Sequence, residues 1–275
     1  MVTKKMPEKN NVLITGASKG IGFVLAKHFA EKNFNVFVTA RSTKSLEELF
    51  KIPNIKGFYP CDLTQDCLFL YQEAKKTLGN IDILINCAGY AVNGATELIS
   101  LENAKKQFDV NFFGTLQTCR LAIPLMKNGC KIVNISSACA FSPVPFRTLY
   151  CASKSAVSML SECLRMELKH LDIEVAHICP GDIKTNFSKN RVKVYDTNER
   201  YSTRIENTLR SIEEREHKRM DCDYVVNKLY KIITKKHLKT MYVINGKTKL
   251  FYLARKFASR KLYNNVSYKL FGGQK

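Results

Sequence analysis

Seven short runs of apolar and β-branched residues, several of them apolar at nearly every position, are spaced along the chain by longer stretches of helical periodicity. The runs are VLIT (12–15), NVFVTA (35–40), IKGFYP (55–60), DILIN (82–86), KIVNIS (131–136), IEVAHIC (173–179) and MYVI (241–244). Helical patterns lie between them: from about Gly20 to Lys32, up to about Leu78, from Phe108 to Met126, from Leu149 to His170, and from 223 onward. A strand that is apolar on both faces has to be covered on both faces, as crossover helices do in a parallel sheet. The alternation therefore predicts an α/β fold: βαβ units in a doubly wound, seven-stranded parallel sheet with helices on both sides.

At 275 residues and 45% hydrophobic content the chain has the size and apolar content of one generous domain spanning 1–275. Residues 1–10 read as a flexible N-terminus, about 186–222 as a polar substrate loop or lid, and about 246–275 as a basic C-terminal helical extension. No run approaches the eighteen or so apolar residues of a membrane span. MVTKKMPEKNN has charges with no apolar stretch behind them, which predicts a cytoplasmic protein.

The ten cysteines are scattered with no CxxC pair, and the five histidines have no metal-like spacing. A zinc site or redox dithiol is not expected, and the thiols read as small hydrophobes in a reducing compartment. The net charge of +20 is uneven: residues 227–275 hold 13 of the 44 basic residues and no acid. Such a segment favours anionic neighbours, either a phosphorylated ligand or an acidic membrane surface. Leu250, Leu253, Phe257, Leu262, Val266 and Leu270 recur there at helical spacing. That helix either contacts an anionic membrane peripherally or covers a core or subunit interface. Nucleic acid is set aside, since no aromatic platform or recognised module accompanies the charge.

The first run leads into Thr15-Gly16-Ala17-Ser18-Lys19-Gly20-Ile21-Gly22 at the start of a helix. Glycines permit a tight turn and close backbone approach, and a helix N-terminus offers free N–H groups to a pyrophosphate. The spacing is GxxxGxG, not GxGxxG. An acid to bind a ribose 2′-hydroxyl is expected about 20 residues on, yet none occurs between Glu31 and Glu47. Arg41 and Ser42 stand there instead, with Lys19 in the glycine loop, and a guanidinium matches a 2′-phosphate. NADP(H) is therefore expected in preference to NAD(H).

Tyr150 and Lys154 are four residues apart on a predicted helix, hence on one face. A tyrosine ionises near pH 10, and bringing it to neutrality needs roughly 4 kcal/mol. One ammonium at about 4 Å, in an effective dielectric near 20, supplies roughly that.

With Cys61-Asp62-Leu63, Asn86-Cys87-Ala88-Gly89, Asn111, Ser136-Ser137 and Pro180-Gly181-Asp182-Ile183-Lys184-Thr185 in order, residues 10–245 resemble a short-chain dehydrogenase/reductase of the smaller single-domain branch. The resemblance implies a Rossmann fold and hydride transfer between a nicotinamide and a carbonyl or secondary alcohol. Ser137 would hold the carbonyl oxygen, with Ser136 as the alternative. Tyr150 would be the acid–base group, Lys154 would hold the nicotinamide ribose, and Asn111 would anchor a water relay. For the cofactor it implies the Gly16–Gly22 loop with Ser18, Gly20 and Ile21, Asp62 and Leu63 at the adenine, and Asn86, Ala88 and Gly89 at its ribose. Pro180, Gly181, Ile183 and Thr185 would lie at the carboxamide.

SSACAFSPVPFRTLYCASK and the MYVINGKTKLFYLARK segment are similar to the branch related to 17-beta-hydroxysteroid dehydrogenases, as are retinol dehydrogenases and acyl-dihydroxyacetone-phosphate reductases. That implies a bulky hydrophobic substrate, steroid-, retinoid- or lipid-like. Val144, Pro145 and Phe146 either face it or pack. The family commonly forms homodimers or homotetramers. The rival readings are a non-catalytic NADP(H) sensor or scaffold and an extended sugar-nucleotide epimerase, for which the chain is short.

Overall fold

The computed structural model describes residues 10–184, 192–194, 201, 203–208 and 219–271. Strands β1 (Asn11–Thr15), β2 (Asn35–Ala40), β3 (Ile55–Pro60), β4 (Ile83–Asn86), β6 (Lys131–Ile135), β7 (Glu174–Pro180) and β9 (Met241–Ile244) form one sheet in the order β3-β2-β1-β4-β6-β7-β9. Every pairing is parallel. The seven expected strands are all present, with bounds within one residue of the sequence reading. A two-stranded parallel ribbon of β5 (Val92–Asn93) and β8 (Val192–Lys193) lies apart from the sheet.

The sheet is covered on both faces because its strands feed two cores. Val12 and Ile14 of β1 join one cluster with Leu25, Phe29 and Leu229, while Leu13 between them joins another with Leu70, Leu84 and Val175. Each fully buried aliphatic of this kind contributes about 1.5–3 kcal/mol. The covering helices are α1 (Gly20–Glu31), α2 (Thr43–Phe50), α3 (Leu68–Leu78), α4 (Leu101–Phe108), α5 (Gly114–Ala122), α6 (Thr148–Glu167) and α7 (Cys222–Ile233). Tyr230 of α7 packs edge-on against Phe29 of α1 at 5.2 Å.

Two helical readings change. The stretch from Phe108 to Met126 is not one regular helix. Asp109–Phe113 forms a widened π turn between α4 and α5, in which the Gly114 N–H reaches back five residues to the Asp109 carbonyl. The basic extension is two helices, α8 (Gly246–Phe257) and α9 (Arg260–Phe271). Ala258 is extended and the Ser259 hydroxyl caps the second helix by accepting the Leu262 N–H.

The strand order reverses between β1 and β4, so the connections after these two strands diverge and open a crevice at their C-terminal ends.

Candidate active site

The crevice at the switch point continues into a cleft of about 910 Å³. Its floor is tied together across strands. The Thr15 hydroxyl accepts the Cys87 N–H at 3.3 Å, and the Asn86 amide donates to Asn134 Oδ1 at 2.9 Å. Asn134 in turn donates to the Ser161 hydroxyl of α6 at 2.9 Å. Asn86 is thereby committed beneath the cleft and does not line it.

One end of the cleft is built by the first loop. Gly16 has φ +68°, and a Cβ on it would sit 2.6 Å from the Ala88 backbone nitrogen, so only glycine lets the loops after β1 and β4 touch. The N-terminus of α1 has no side-chain cap and no acid in its first turn. Its N–H groups and positive dipole end suit an anionic pyrophosphate. Gly16, Ser18, Lys19, Gly20, Ile21 and Gly22 all line the wall.

Arg41, exposed after β2, lines it too, with Asp62, Leu63, Ala88 and Gly89. Asp62 is fixed by accepting the Thr64 N–H and hydroxyl. Ser42 stays outside, next to Ser45, at the start of α2. Pro180, Gly181 and Ile183 line the far side, where Ile183 bridges Met220. Thr185 and most of the 186–222 loop lie outside the described residues.

The other end is organised by α6. Tyr150 and Lys154 are both buried in its first two turns and both line the cleft. The Lys154 ammonium donates to the Ile135 carbonyl at 2.9 Å. Burial lowers its pKa to about 8 from 10.5, opposed by nearby thiols, Cys87 first. Asn111, on the π turn, is fully buried behind it. Its Oδ1 accepts the Tyr90 N–H, and its amide donates to the Tyr90 carbonyl and the Ser153 hydroxyl, each at 3.0 Å. It thus staples the Gly89–Tyr90 loop to α6.

The two serine candidates separate. The Ser136 hydroxyl is buried and donates to the Lys154 carbonyl at 2.9 Å, with Ser158 Oγ at 2.8 Å. Ser137 is partly open, in extended backbone, and its Oγ accepts the Cys139 N–H at 3.1 Å. Val144 lines the cleft, whereas Phe146, held at φ +59°, packs outward against Tyr201.

Sequence reasoning missed part of this wall. Thr248 and Phe251 of α8 and Leu270 and Phe271 of α9 line the cleft, so the basic extension helps to build the site. Arg147, three residues before Tyr150, lines it as well. A lone arginine carries no motif; its place three residues before Tyr150 was the only signal.

The sequence pattern described as short chain dehydrogenase matches residues 10–196. The chain belongs to the short-chain dehydrogenase/reductase family. It is 34% identical over 212 residues to a 3-ketodihydrosphingosine reductase of Bacteroides thetaiotaomicron, covering 74% of this chain and 76% of the relative. A short-chain dehydrogenase from Streptomyces avermitilis has the same fold, at TM-score 0.81 and 22% identity over 96% of this chain and 98% of that one. Another family member, from Burkholderia phymatum in complex with NAD, superposes at TM-score 0.77 and 19% identity, covering 90% and 94%. As a member of the family the chain is an oxidoreductase that works with a nicotinamide cofactor on CH–OH or carbonyl groups of small molecules. No helix among the described residues is long and apolar enough to cross a membrane.

Proposed function

We propose that this chain is an NADP(H)-dependent reductase of a hydrophobic ketone or aldehyde, working reversibly on the corresponding alcohol. The observation that carries the reading is the buried Lys154 ammonium, one helical turn from Tyr150 and facing the cleft beside Ser137 and Gly89. The residues fit a dinucleotide. The uncapped α1 N-terminus would hold the pyrophosphate, Arg41 and Lys19 the 2′-phosphate, and Asp62, Leu63, Ala88 and Gly89 the adenosine. Pro180, Gly181, Ile183 and Thr185 would hold the carboxamide. When bound, the cofactor supplies the hydride.

In the reductive direction Ser137 holds the carbonyl oxygen and Tyr150 delivers its phenolic proton to it. Lys154 stabilises the phenolate left behind, because a fixed cation in a buried site is worth far more than in water. Asn111 positions the Gly89–Tyr90 loop at the place where a water relay behind Lys154 begins. The 3-ketodihydrosphingosine reductase relative and the apolar lining from Val144, Phe141 and Phe251 support a lipid-like substrate.

NADPH and NADH oxidation followed at 340 nm over a panel of steroid, retinal, long-chain ketone and small aldehyde substrates tests this. The expected result is turnover of a hydrophobic carbonyl with NADPH preferred. Turnover with NADH alone would contradict the cofactor assignment, and no binding of either would contradict the reading as a whole.

Two surfaces extend the proposal. Phe113, Met159 and Met166 are large exposed apolar side chains on or beside helices α5 and α6, which suits the pairing common in this family. Leu250, Phe257 and Leu262 are exposed on α8 and α9 among seven lysines and arginines, which suits peripheral contact with an anionic membrane.

A further inference from the structure

The reaction needs only Ser137, Tyr150 and Lys154 at the reacting end of the cleft, yet a second cation is buried there. Arg147 is 8% exposed, precedes α6, and lines the cleft with its guanidinium carbon 5.1 Å from the centre of the Tyr150 ring. Among the described residues its Nε has no hydrogen-bond partner and no carboxylate lies within ion-pair distance. Its charged or titratable neighbours are the buried Cys139 thiol, Cys151, Tyr150 and the exposed Asp182.

A guanidinium cannot shed its proton to escape desolvation. A buried one with no carboxylate partner therefore costs free energy that an oxyanion beside it would offset. The cofactor's phosphates do not fill that place, since Arg41, Lys19 and the α1 N-terminus that suit them stand at the other end of the cleft.

We propose that Arg147 recognises an anionic group, a carboxylate or a phosphate, carried by the substrate a few bonds from the reacting carbonyl. The substrate is then amphipathic, with its apolar body against Val144, Phe251 and Phe271 and its charged group on Arg147. The inference rests on the reductase reading and names its substrate class. The close stacking on Tyr150 sets the short distance between anion and carbonyl. A cationic amine at the same place is opposed by like charge.

The test has a binding arm and a turnover arm. Decanoate, decyl phosphate and decanol are titrated into the chain saturated with NADPH, with cofactor fluorescence as the readout. The two anions are expected to bind at least about 10-fold tighter than decanol. Arg147→Met is expected to remove that preference, and Arg147→Lys to restore part of it, with NADPH affinity and Tm close to wild type for the lysine variant. Decanoate against decyl phosphate identifies which anion the site prefers.

In turnover, ketones matched in length that end in carboxylate, phosphate, methyl ester or amine are compared. Arg147→Met is expected to raise KM for the anionic ketones about 10- to 100-fold and to change the ester by less than about threefold. Equal binding of decanoate, decyl phosphate and decanol to wild type would overturn the proposal. So would equal loss for ester and acid in the variant, which would make Arg147 a partner of Tyr150 only. Failure of wild type to bind NADPH would instead overturn the reductase reading on which the proposal stands.

Discussion

The ammonium of Lys154 donates to the carbonyl of Ile135, the last residue of β6, across 2.9 Å. Strand and helix thereby fix the cation at the end of the sheet, with Asn111 stapling the Gly89–Tyr90 loop behind it. A backbone carbonyl is a neutral partner, so the charge remains free to act on Tyr150.

Burial sets the pH range of that charge. In the cofactor-free chain Lys154 is expected to titrate at about 8, and lysine labelled at ¹³Cε, assigned with Lys154→Met, would show it. A titration near 10.5 would contradict the account. Between about pH 8 and 10.5 the unfolded chain holds a proton on this lysine that the folded chain has lost. Stability relative to Lys154→Met therefore rises with pH through that window and is flat below it. Ketone reduction, which needs the ammonium, is expected to fall as pH rises through the titration of Lys154.

The adjacent serines predict opposite phenotypes. Ser137→Ala is expected to lower kcat/KM by about 100-fold, within the range for losing one oxyanion donor, with little change in Tm. Ser136→Ala removes a buried hydroxyl with two partners and is expected to cost about 1–3 kcal/mol of stability while most activity persists. Parallel kinetics and thermal melts would show reversed results if Ser136 were the carbonyl ligand.

Arg41 carries the proposed cofactor preference. Arg41→Ala is expected to weaken NADPH binding by about 10- to 100-fold, the range for losing a charge-assisted contact, and to leave NADH within threefold. Fluorescence titrations with both cofactors decide this; equal losses would place the guanidinium away from the 2′-phosphate.

The strands were legible because burial on both faces forces apolar residues at successive positions, as in Val12, Leu13 and Ile14. The glycine loop was legible because the approach of Gly16 to Ala88 leaves no room for a side chain. The π turn at Asp109–Phe113 was not, since it adds backbone to one turn without any side chain that announces it. The break at Ala258–Ser259 was hidden for a related reason: Leu250, Phe257, Leu262 and Val266 keep helical spacing across it, and only the Ser259 cap marks the second start. The helix α2 is short and largely polar, with only Leu46 and Leu49 buried, too few to set a period. That the last two helices wall the cleft is a long-range packing result, exemplified by Ser267 donating to the Pro143 carbonyl at 2.5 Å.

The proposed membrane contact of α8 and α9 is read by sedimentation with vesicles of neutral and anionic lipid. Full-length chain is expected to pellet with anionic vesicles, and Phe257→Ser with Leu262→Ser to reduce the bound fraction several-fold at moderate salt. Equal partitioning of wild type and variant would remove the membrane contact and leave this face to another copy of the chain.

The most direct test of the account is single-turnover reduction of a carbonyl substrate by the NADPH complex of wild type and of Tyr150→Phe. The account predicts a fall of about 1,000-fold or more in the reduction rate with NADPH affinity within threefold, because only the proton donor is lost. A variant that keeps a tenth or more of the wild-type rate would contradict the assignment of Tyr150 as the acid.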